Sequence, residues 1–124
     1  MAKFIIDAAM DAELDYLATC TILFICSAEP VSYADAATSK DLATHVLTGG
    51  DFSKNNGDAS GRKLTLAQQA AITVDHSGTA TYWAIGISAS STLVAYGTVT
   101  SQALTAGNTV TVPAFDVDEI ADPT

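Results

Sequence analysis

Positive charge is scarce in this chain of 124 residues. Five lysine and arginine residues stand against fourteen aspartate and glutamate residues, which gives a formal net charge of −9 at pH 7. Proteins bind phosphate backbones mainly by neutralising them with cations, so nucleic acid is not an expected partner. The same sign of charge disfavours docking on anionic lipid, so we expect no membrane partner either.

Long apolar runs are also missing. No stretch approaches the ~20 apolar residues of a membrane-spanning helix. The N-terminal run Met1-Ala2-Lys3-Phe4-Ile5-Ile6 is interrupted by Asp7 and is too short for the apolar core of a signal peptide. We therefore expect the protein to be made and folded in a cytoplasm.

Cysteine is limited to Cys20 and Cys26. Their even separation places them on one face of a predicted strand, about 20 Å apart, which is too far for a disulfide. We interpret both as small buried hydrophobic side chains rather than as a redox pair.

The residue patterns of an active site are absent. A nucleophile needs a base within hydrogen-bond reach, but His45 lies in a short apolar run, His76 lies in a turn, and no G-x-S-x-G motif occurs. Cys26 and His45 form a conceivable dyad, yet an apolar site raises a thiol pKa and so does not activate it. We predict that the protein is not an enzyme and has no catalytic or cofactor-binding residues.

No metal site is expected. The chain lacks the C-x-x-C and H-x-x-x-H spacings of zinc sites. Asp51, Ser53 and Asn55 match the first ligands of a calcium loop, but Asn56 stands where glycine is needed and no glutamate follows at the twelfth position. An ordinary turn is the favoured interpretation. A second acidic cluster is interpreted as a solvated tail and comprises Asp116, Asp118 and Glu119.

Arg62 and Lys63 are the only adjacent basic residues. They have two interpretations. They form an intermolecular salt-bridge site, or they prevent an edge strand from extending its sheet, which is the favoured alternative.

The residues that are present predict one folded domain over 1–124. Hydrophobic residues make up 48% of the chain and charged residues 15%, which suffices for a packed core. Ile6, Met10, Leu14 and Leu17 recur at helical spacing, so we predict one N-terminal α-helix over about 7–18. Residues 20–120 are predicted to be rich in strands, with an exposed loop at 53–61.

The first predicted strand, from Cys20 to Ser27, is apolar on both faces. It therefore belongs in the middle of a sheet, or its second face is covered by a helix or by another subunit. The preceding helix is the natural cover for one face. Further short strands are predicted at 63–67, 71–74, 79–88, 92–99 and 109–113. Their spacing is typical of a mainly β, antiparallel sandwich or barrel-like domain, with Trp83 on the core side of its strand.

Several segments of the chain are similar to those of a known group of proteins. Two of them are Ser27-Ala-Glu-Pro30 and Gly57-Asp-Ala-Ser-Gly-Arg-Lys63. The others are Ser77-Gly-Thr-Ala-Thr81 and the stretch 100–110. The chain resembles small virion structural proteins of tailed phages and prophages, of the decoration or cement type. The resemblance implies membership of a virion, with no catalytic residues.

We therefore expect a non-enzymatic capsid decoration protein, located in the virion, that forms a homo-oligomer, as a trimer, and bridges major capsid protein subunits. An end segment, 1–6 or 115–124, is expected to contact another chain, and its deletion is expected to leave a folded domain. The alternative is a tail-fibre or tail-tip component, or a receptor- or carbohydrate-binding module. The aromatic side chains available to such a module are Tyr82, Trp83, Tyr96 and Phe115.

Overall fold

A computed structural model describes residues 6–58 and 60–120. These residues form one α-helix, α1 (Asp7–Leu17), and nine β-strands. The first strands are β1 (Ile22–Cys26), β2 (Asp41–Val46), β3 (Phe52–Asn56), β4 (Arg62–Leu66) and β5 (Gln69–Thr73). The later strands are β6 (Gly78–Ile87), β7 (Thr92–Leu104), β8 (Thr109–Val112) and β9 (Phe115–Ile120). The prediction of a mainly β fold with one N-terminal α-helix is confirmed.

The described strands form three antiparallel sheets. The largest has the order β2-β1-β6-β7, the second β3-β4-β9 and the smallest β5-β8. This arrangement corresponds to a sandwich with open edges, so the barrel-like alternative is wrong. The main core lies on the face of the four-stranded sheet that carries Leu23, Trp83 and Ile85, and it also includes Leu66 of the second sheet and Val110 of the third.

Both faces of β1 are buried, as the sequence predicted, but the cover differs from the expected one. Helix α1 contacts β4, and its Met10 and Leu14 are buried there. The second face of β1 carries Phe24 and Cys26, which pack in a smaller cluster with Ala36 from the π-helical turn Asp35–Ser39. A turn of the same chain therefore covers the second face of β1, and a second subunit is not needed to cover it.

The two cysteines are buried and unpaired, as predicted, but they do not share a face. Cys20 belongs to the main core with Leu23 and Ile25, whereas Cys26 belongs to the smaller cluster. The reason is that β1 starts at Ile22, so strand alternation does not extend back to Cys20.

The predicted exposed loop 53–61 is partly wrong. Residues Phe52–Asn56 form β3, which pairs with β4 as a hairpin, and among the described residues Gly57, Asp58, Ser60 and Gly61 lie in the turn. Phe52 packs against the main core and begins the strand. The amide of Gly57 donates to the carbonyl oxygen of Gly61 at 2.9 Å and so closes the turn. The exposure of residues 53–56 is confirmed.

The C-terminal acidic cluster is not a solvated tail. Its residues lie in β9, which pairs with β4 so that Phe115 lies opposite Leu66. Phe115 and Val117 alternate with acidic residues and pack against the main core, which accounts for the strand. The expectation that deletion of 115–124 leaves a folded domain is therefore at odds with the fold. Residues 1–5 and 121–124 lie outside the described residues.

Candidate functional site

The longest strand, β7, lies at the edge of the largest sheet. It pairs with β6 on one side, and no strand in the described part of the chain pairs with its other side. At ~3.3 Å per residue its 13 residues span about 40 Å. Two irregularities interrupt the pairing with β6, and the regular segment between them includes Ala95 and Thr98.

This edge lacks two of the features that normally prevent strand addition, although it has the two irregularities in its pairing with β6. Residues 92–104 contain no charged side chain and no proline, and those are the usual protective devices at a sheet edge. Three other edge strands differ: β3 carries Lys54, β9 carries Asp116, and β2 is bridged to Val74 at Ala43. Strand β5 is also uncharged, but it has only five residues. Strand β8 has only four residues and is followed by Pro113. An uncharged edge of this length offers backbone groups to an incoming strand, and one of its two irregularities lies between Thr98 and Gln102.

A cleft of about 460 Å³ opens beside β7. Its volume falls in the range of ~300–1,000 Å³ that is typical of ligand sites. Its base includes Ile25, Ala80 and Trp83. The β7 wall comprises Thr98, Val99, Thr100 and Gln102, and the opposite wall comprises residues 110–116. The cleft thus separates the edge of the largest sheet from β8 and the start of β9.

The four aromatic side chains expected to line one groove form two separate pairs. Trp83 and Phe115 have ring centroids 4.9 Å apart, and both line the cleft. Tyr82 and Tyr96 have ring centroids 6.1 Å apart and lie on the other face of the sheet, since Tyr82 packs with the smaller cluster. Trp83 is 7% exposed and belongs to the main core, as predicted. A single aromatic groove is therefore not formed.

The Tyr96 hydroxyl belongs to the outer face of β7. It donates a hydrogen bond to Oε1 of Glu29 at 2.8 Å. That bond, together with the negative charge of Glu29, raises the pKa of Tyr96. The contact ties β7 to the segment that follows β1.

Protection of a sheet edge, the favoured interpretation of the basic pair Arg62-Lys63, is wrong, whereas an intermolecular salt bridge stays a prediction. Strand β4 is the central strand of its sheet, so its charges do not protect an edge. Arg62 Nε lies 2.8 Å from Oδ1 of Asp11 in α1, on the helix side of the sheet. Lys63 Nζ lies 2.7 Å from Asp58 Oδ1 on the opposite side. The pair therefore binds acidic groups of its own chain.

Lys63 lies beside a cluster of exposed acidic residues on the outer face of β4 and β9. Asp58, Asp116 and Glu119 each place one carboxylate oxygen within 4.8 Å of the others. Lys63 Nζ is also 3.5 Å from Asp116 Oδ2, and the Thr65 hydroxyl donates to Asp116 Oδ1 at 2.9 Å. Since a lysine already compensates this charge, we assign no metal site here. The sequence pointed to Asp116 and Glu119 but missed Asp58, which reaches the group through the hairpin turn.

The conceivable dyad of Cys26 and His45 is not assembled. In the pairing of β1 with β2, Cys26 lies opposite Asp41 and His45 lies opposite Leu23. Three residues along a strand separate the two positions by ~10 Å. Burial, followed by the charge of Asp41, raises the pKa of Cys26 to about 12, and burial raises that of Cys20 to about 11. Both thiols are therefore protonated near neutral pH.

The three residues resembling a calcium loop are also separated. Asp51 Oδ2 accepts hydrogen bonds from the backbone amide and the hydroxyl of Thr48, at 2.8 and 3.3 Å. These bonds, led by that of the amide, lower the pKa of Asp51. Ser53 and Asn55 lie along β3 rather than around a loop. The favoured interpretation as a turn is right for Asp51, which ends the 3-10 turn Gly49–Asp51, and wrong for Ser53 and Asn55.

Asp41 is the one buried acidic residue in the described chain. Its Oδ1 accepts a hydrogen bond from the Thr44 hydroxyl at 3.0 Å, and no lysine or arginine pairs with it among the described ion pairs. Burial raises its pKa. The group lies beside Cys26, away from the cleft lining, so it belongs to stability rather than to the site.

The cleft and the β7 edge were missed by sequence reasoning, although a signal exists. Residues 77–115 contain no charged side chain, in a chain that carries fourteen acidic ones. A long uncharged stretch with strand-forming residues at an edge is a signal for association. The strand itself was predicted to end at Val99, but it continues to Leu104.

No protein-family model, curated protein or solved structure matches this chain. Among the described residues, no helix has the length and apolar character needed to cross a bilayer. The class that the fold defines is therefore a mainly β sandwich of antiparallel sheets with one N-terminal helix.

Proposed function

We propose that this protein is a non-enzymatic structural protein of a tailed-phage virion, which decorates the capsid. It self-associates and binds the major capsid protein, and its contribution is to hold neighbouring subunits together. The resemblance to decoration proteins supports the class of function. The open edge of β7 beside its cleft is the observation that carries the mode of action.

Strand addition explains how such an edge binds another protein. An extended segment that joins a sheet edge gains main-chain hydrogen bonds, while pockets beside the edge select alternate side chains. Strand β7 supplies the edge, and the cleft with Trp83 and Phe115 supplies the pocket. The catalytic alternative has no comparable support, since Cys26 and His45 lie apart.

The size of the protein suits several contacts at once. A standard interface buries about 800 Å² on each partner, which is about an eighth of the 6529 Å² that the chain exposes. A protein that binds the assembled shell and not the separate subunits stabilises the assembled state by mass action. A decoration protein therefore needs binding surfaces for its neighbours and no catalytic residues.

The test begins with purified virions of the phage that encodes the chain. We expect the protein in capsids at a copy number that is a simple fraction of that of the major capsid protein, measured by quantitative mass spectrometry. Particles that lack it are expected to break at a lower temperature, and added protein is expected to restore the difference. Recovery of the protein with isolated tails alone would contradict capsid decoration.

The alternative function, a carbohydrate-binding module, rests on the lining of the same cleft. Threonine and glutamine side chains lie there beside two aromatic rings, and both features contact sugars in binding sites. Trp83→Ala is an unsuitable test because Trp83 is a core residue. The exposed lining residues Thr100 and Gln102 allow a cleaner one. A glycan array with hits that disappear in Thr100→Ala and Gln102→Ala would favour this alternative.

A further inference from the structure

We infer that the cleft beside β7 receives residues 1–6 of a second copy of this chain, added to β7 as a strand. The inference rests on the proposed self-association and names the two surfaces that carry it. The cleft is the receiving surface, and the N-terminal segment Met1-Ala2-Lys3-Phe4-Ile5-Ile6 is the inserted one.

The receiving surface has the form of a sandwich from which one strand is missing. Strand β7 ends its sheet, and the wall opposite belongs to β8 and the start of β9. Val110, Val112 and Phe115 make that wall largely apolar. A strand placed between the walls would hydrogen-bond to β7 and turn every second side chain into the cleft.

The inserted surface has the matching pattern. Ala2, Phe4 and Ile6 alternate along the segment, so an extended backbone places all three on one face. Ile6 is 57% exposed on its own copy and has an extended backbone, with φ −68° and ψ 145°. The chain thus enters α1 from an extended conformation, with an apolar side chain that its own fold leaves in solvent.

Charge favours this segment over other parts of the chain. Every lysine and arginine within 6–58 and 60–120 forms an ion pair inside its own copy. The remaining cation is Lys3, which lies in the inserted segment. The cleft carries no basic residue and is bordered by Asp116. A segment with a net positive charge over residues 1–6 therefore approaches an uncharged or acidic surface.

The contact joins two different surfaces, so it is head to tail. Contacts of this type close into rings when the rotation between copies allows it. A three-membered ring is the trimer expected from the sequence. Each copy then donates one segment and receives one, and no cleft stays empty.

A disulfide cross-link between two tagged copies tests the contact. One copy carries Phe4→Cys and the other carries Thr100→Cys, and the two are mixed under mild oxidation. The native thiols do not interfere, because Cys20 and Cys26 are buried and their pKa values are raised to about 11 and about 12. We expect a covalent product that contains both tags and forms only when both variants are present.

Val31→Cys is the matched control, since Val31 is 81% exposed and does not line the cleft. Phe4→Cys mixed with Val31→Cys is expected to give less than a tenth of the cross-linked product. Equal yields with both partners would show random collision and overturn the inference. A Phe4→Cys, Thr100→Cys double variant that closes only within one copy would show that the segment binds its own cleft, which also overturns it.

Light scattering of Phe4→Asp supplies a second measurement. We expect the unmodified 12.8 kDa chain to form a trimer and Phe4→Asp to be a folded monomer with unchanged circular dichroism. An unmodified chain that is monomeric at high concentration would refute the inference. Capsid binding is scored separately: a monomer that still decorates capsids leaves the proposed function intact, and a cross-linked oligomer absent from virions contradicts that function alone.

Discussion

Gly97 shows how tightly one residue is constrained by its cross-strand neighbour. It lies opposite Trp83, and a Cβ atom at this position would come within 2.8 Å of the indole Nε1. We expect Gly97→Ala to lower the free energy of unfolding by about 1–3 kcal/mol, which is the usual cost of overpacking. Chemical denaturation followed by tryptophan fluorescence measures both the loss and the displaced indole.

Gly49→Ala is the control for that substitution. A Cβ atom at Gly49 meets nothing within 4 Å, so we expect a change within about 0.5 kcal/mol. Equal stability of both variants would show that Trp83 moves aside without cost. The packing of the indole against Gly97 would then be unimportant for the fold.

Asp41 makes the stability of the fold depend on pH in an unusual direction. Burial raises its pKa in the folded chain, whereas an unfolded aspartate has a pKa of about 3.9. The ionised carboxylate therefore disfavours folding. Relative to Asp41→Asn, the unmodified chain loses stability as the pH rises through the folded pKa, and the difference vanishes below about pH 3.9.

We expect Asp41→Asn to be the more stable chain at pH 7, because the asparagine oxygen can still accept the hydrogen bond from Thr44. Thermal unfolding of both chains between pH 3 and pH 8 measures the difference. The substitution should also lower the pKa of Cys26, since the charge of Asp41 contributes to raising it. A difference that grows as the pH falls would contradict the burial argument.

Sequence reasoning at the residue scale succeeded where local periodicity decides the environment. Trp83 was assigned to the core side of its strand from alternation, and the structure places it there. The partners of Arg62 and Lys63 could not be predicted in this way. Asp11 and Asp116 lie more than fifty positions away along the chain, so those two ion pairs depend on how the sheets and helix pack. Asp58 is only five positions from Lys63, and the β3–β4 hairpin turn brings it within 2.7 Å.

At the scale of elements, β9 is the strand that most changes the expected behaviour of the chain. Its Phe115 contacts Trp83 and packs against the main core. We expect Phe115→Ala to lower the free energy of unfolding by about 2 kcal/mol, below the ~3–5 kcal/mol of a fully buried phenylalanine, because Phe115 is half-buried. Urea denaturation measures the loss.

Val31→Ala is the matched control for Phe115→Ala, since it removes an apolar side chain that is 81% exposed. We expect it to change stability by less than about 0.5 kcal/mol. A Phe115→Ala chain as stable as Val31→Ala would indicate that β9 is not anchored in the core. Deletion of 115–124 would then leave a folded domain, as the sequence alone suggested.

Most elements were predictable because their residues repeat at the spacing of a helix or a strand. Helix α1 and strands β1 and β6 belong to this group. Strand β3 does not, because Ser53, Lys54, Asn55 and Asn56 are typical of turns. Pairing with β4 overrides that local preference, and an exposed edge tolerates polar side chains on both faces.

At the scale of the whole molecule, the net charge of −9 opposes contact between copies. The uncharged residues 77–115 leave one surface that two acidic copies can share without placing carboxylates together. The uneven distribution of charge is visible in the sequence, whereas the surface that it leaves uncharged became visible only once β6, β7 and β8 were placed beside the cleft. Self-association is expected to depend on how far salt screens the negative charge on the rest of the surface.

Salt is therefore expected to strengthen self-association. Raising the ionic strength from about 0.01 M to about 0.15 M shortens the Debye length from about 30 Å to about 8 Å, which screens the repulsion between copies of net charge −9. The proposed contact through β7 and Phe4 is mainly apolar and main-chain. Its one favourable charge, Lys3 near the acidic border of the cleft, is outweighed by the repulsion between copies, so we expect the contact to lose little over the same range. Sedimentation equilibrium at several salt concentrations measures the change in the association constant. Dissociation on adding salt would mean that charged pairs hold the copies together, and the uncharged edge of β7 would then be the wrong surface.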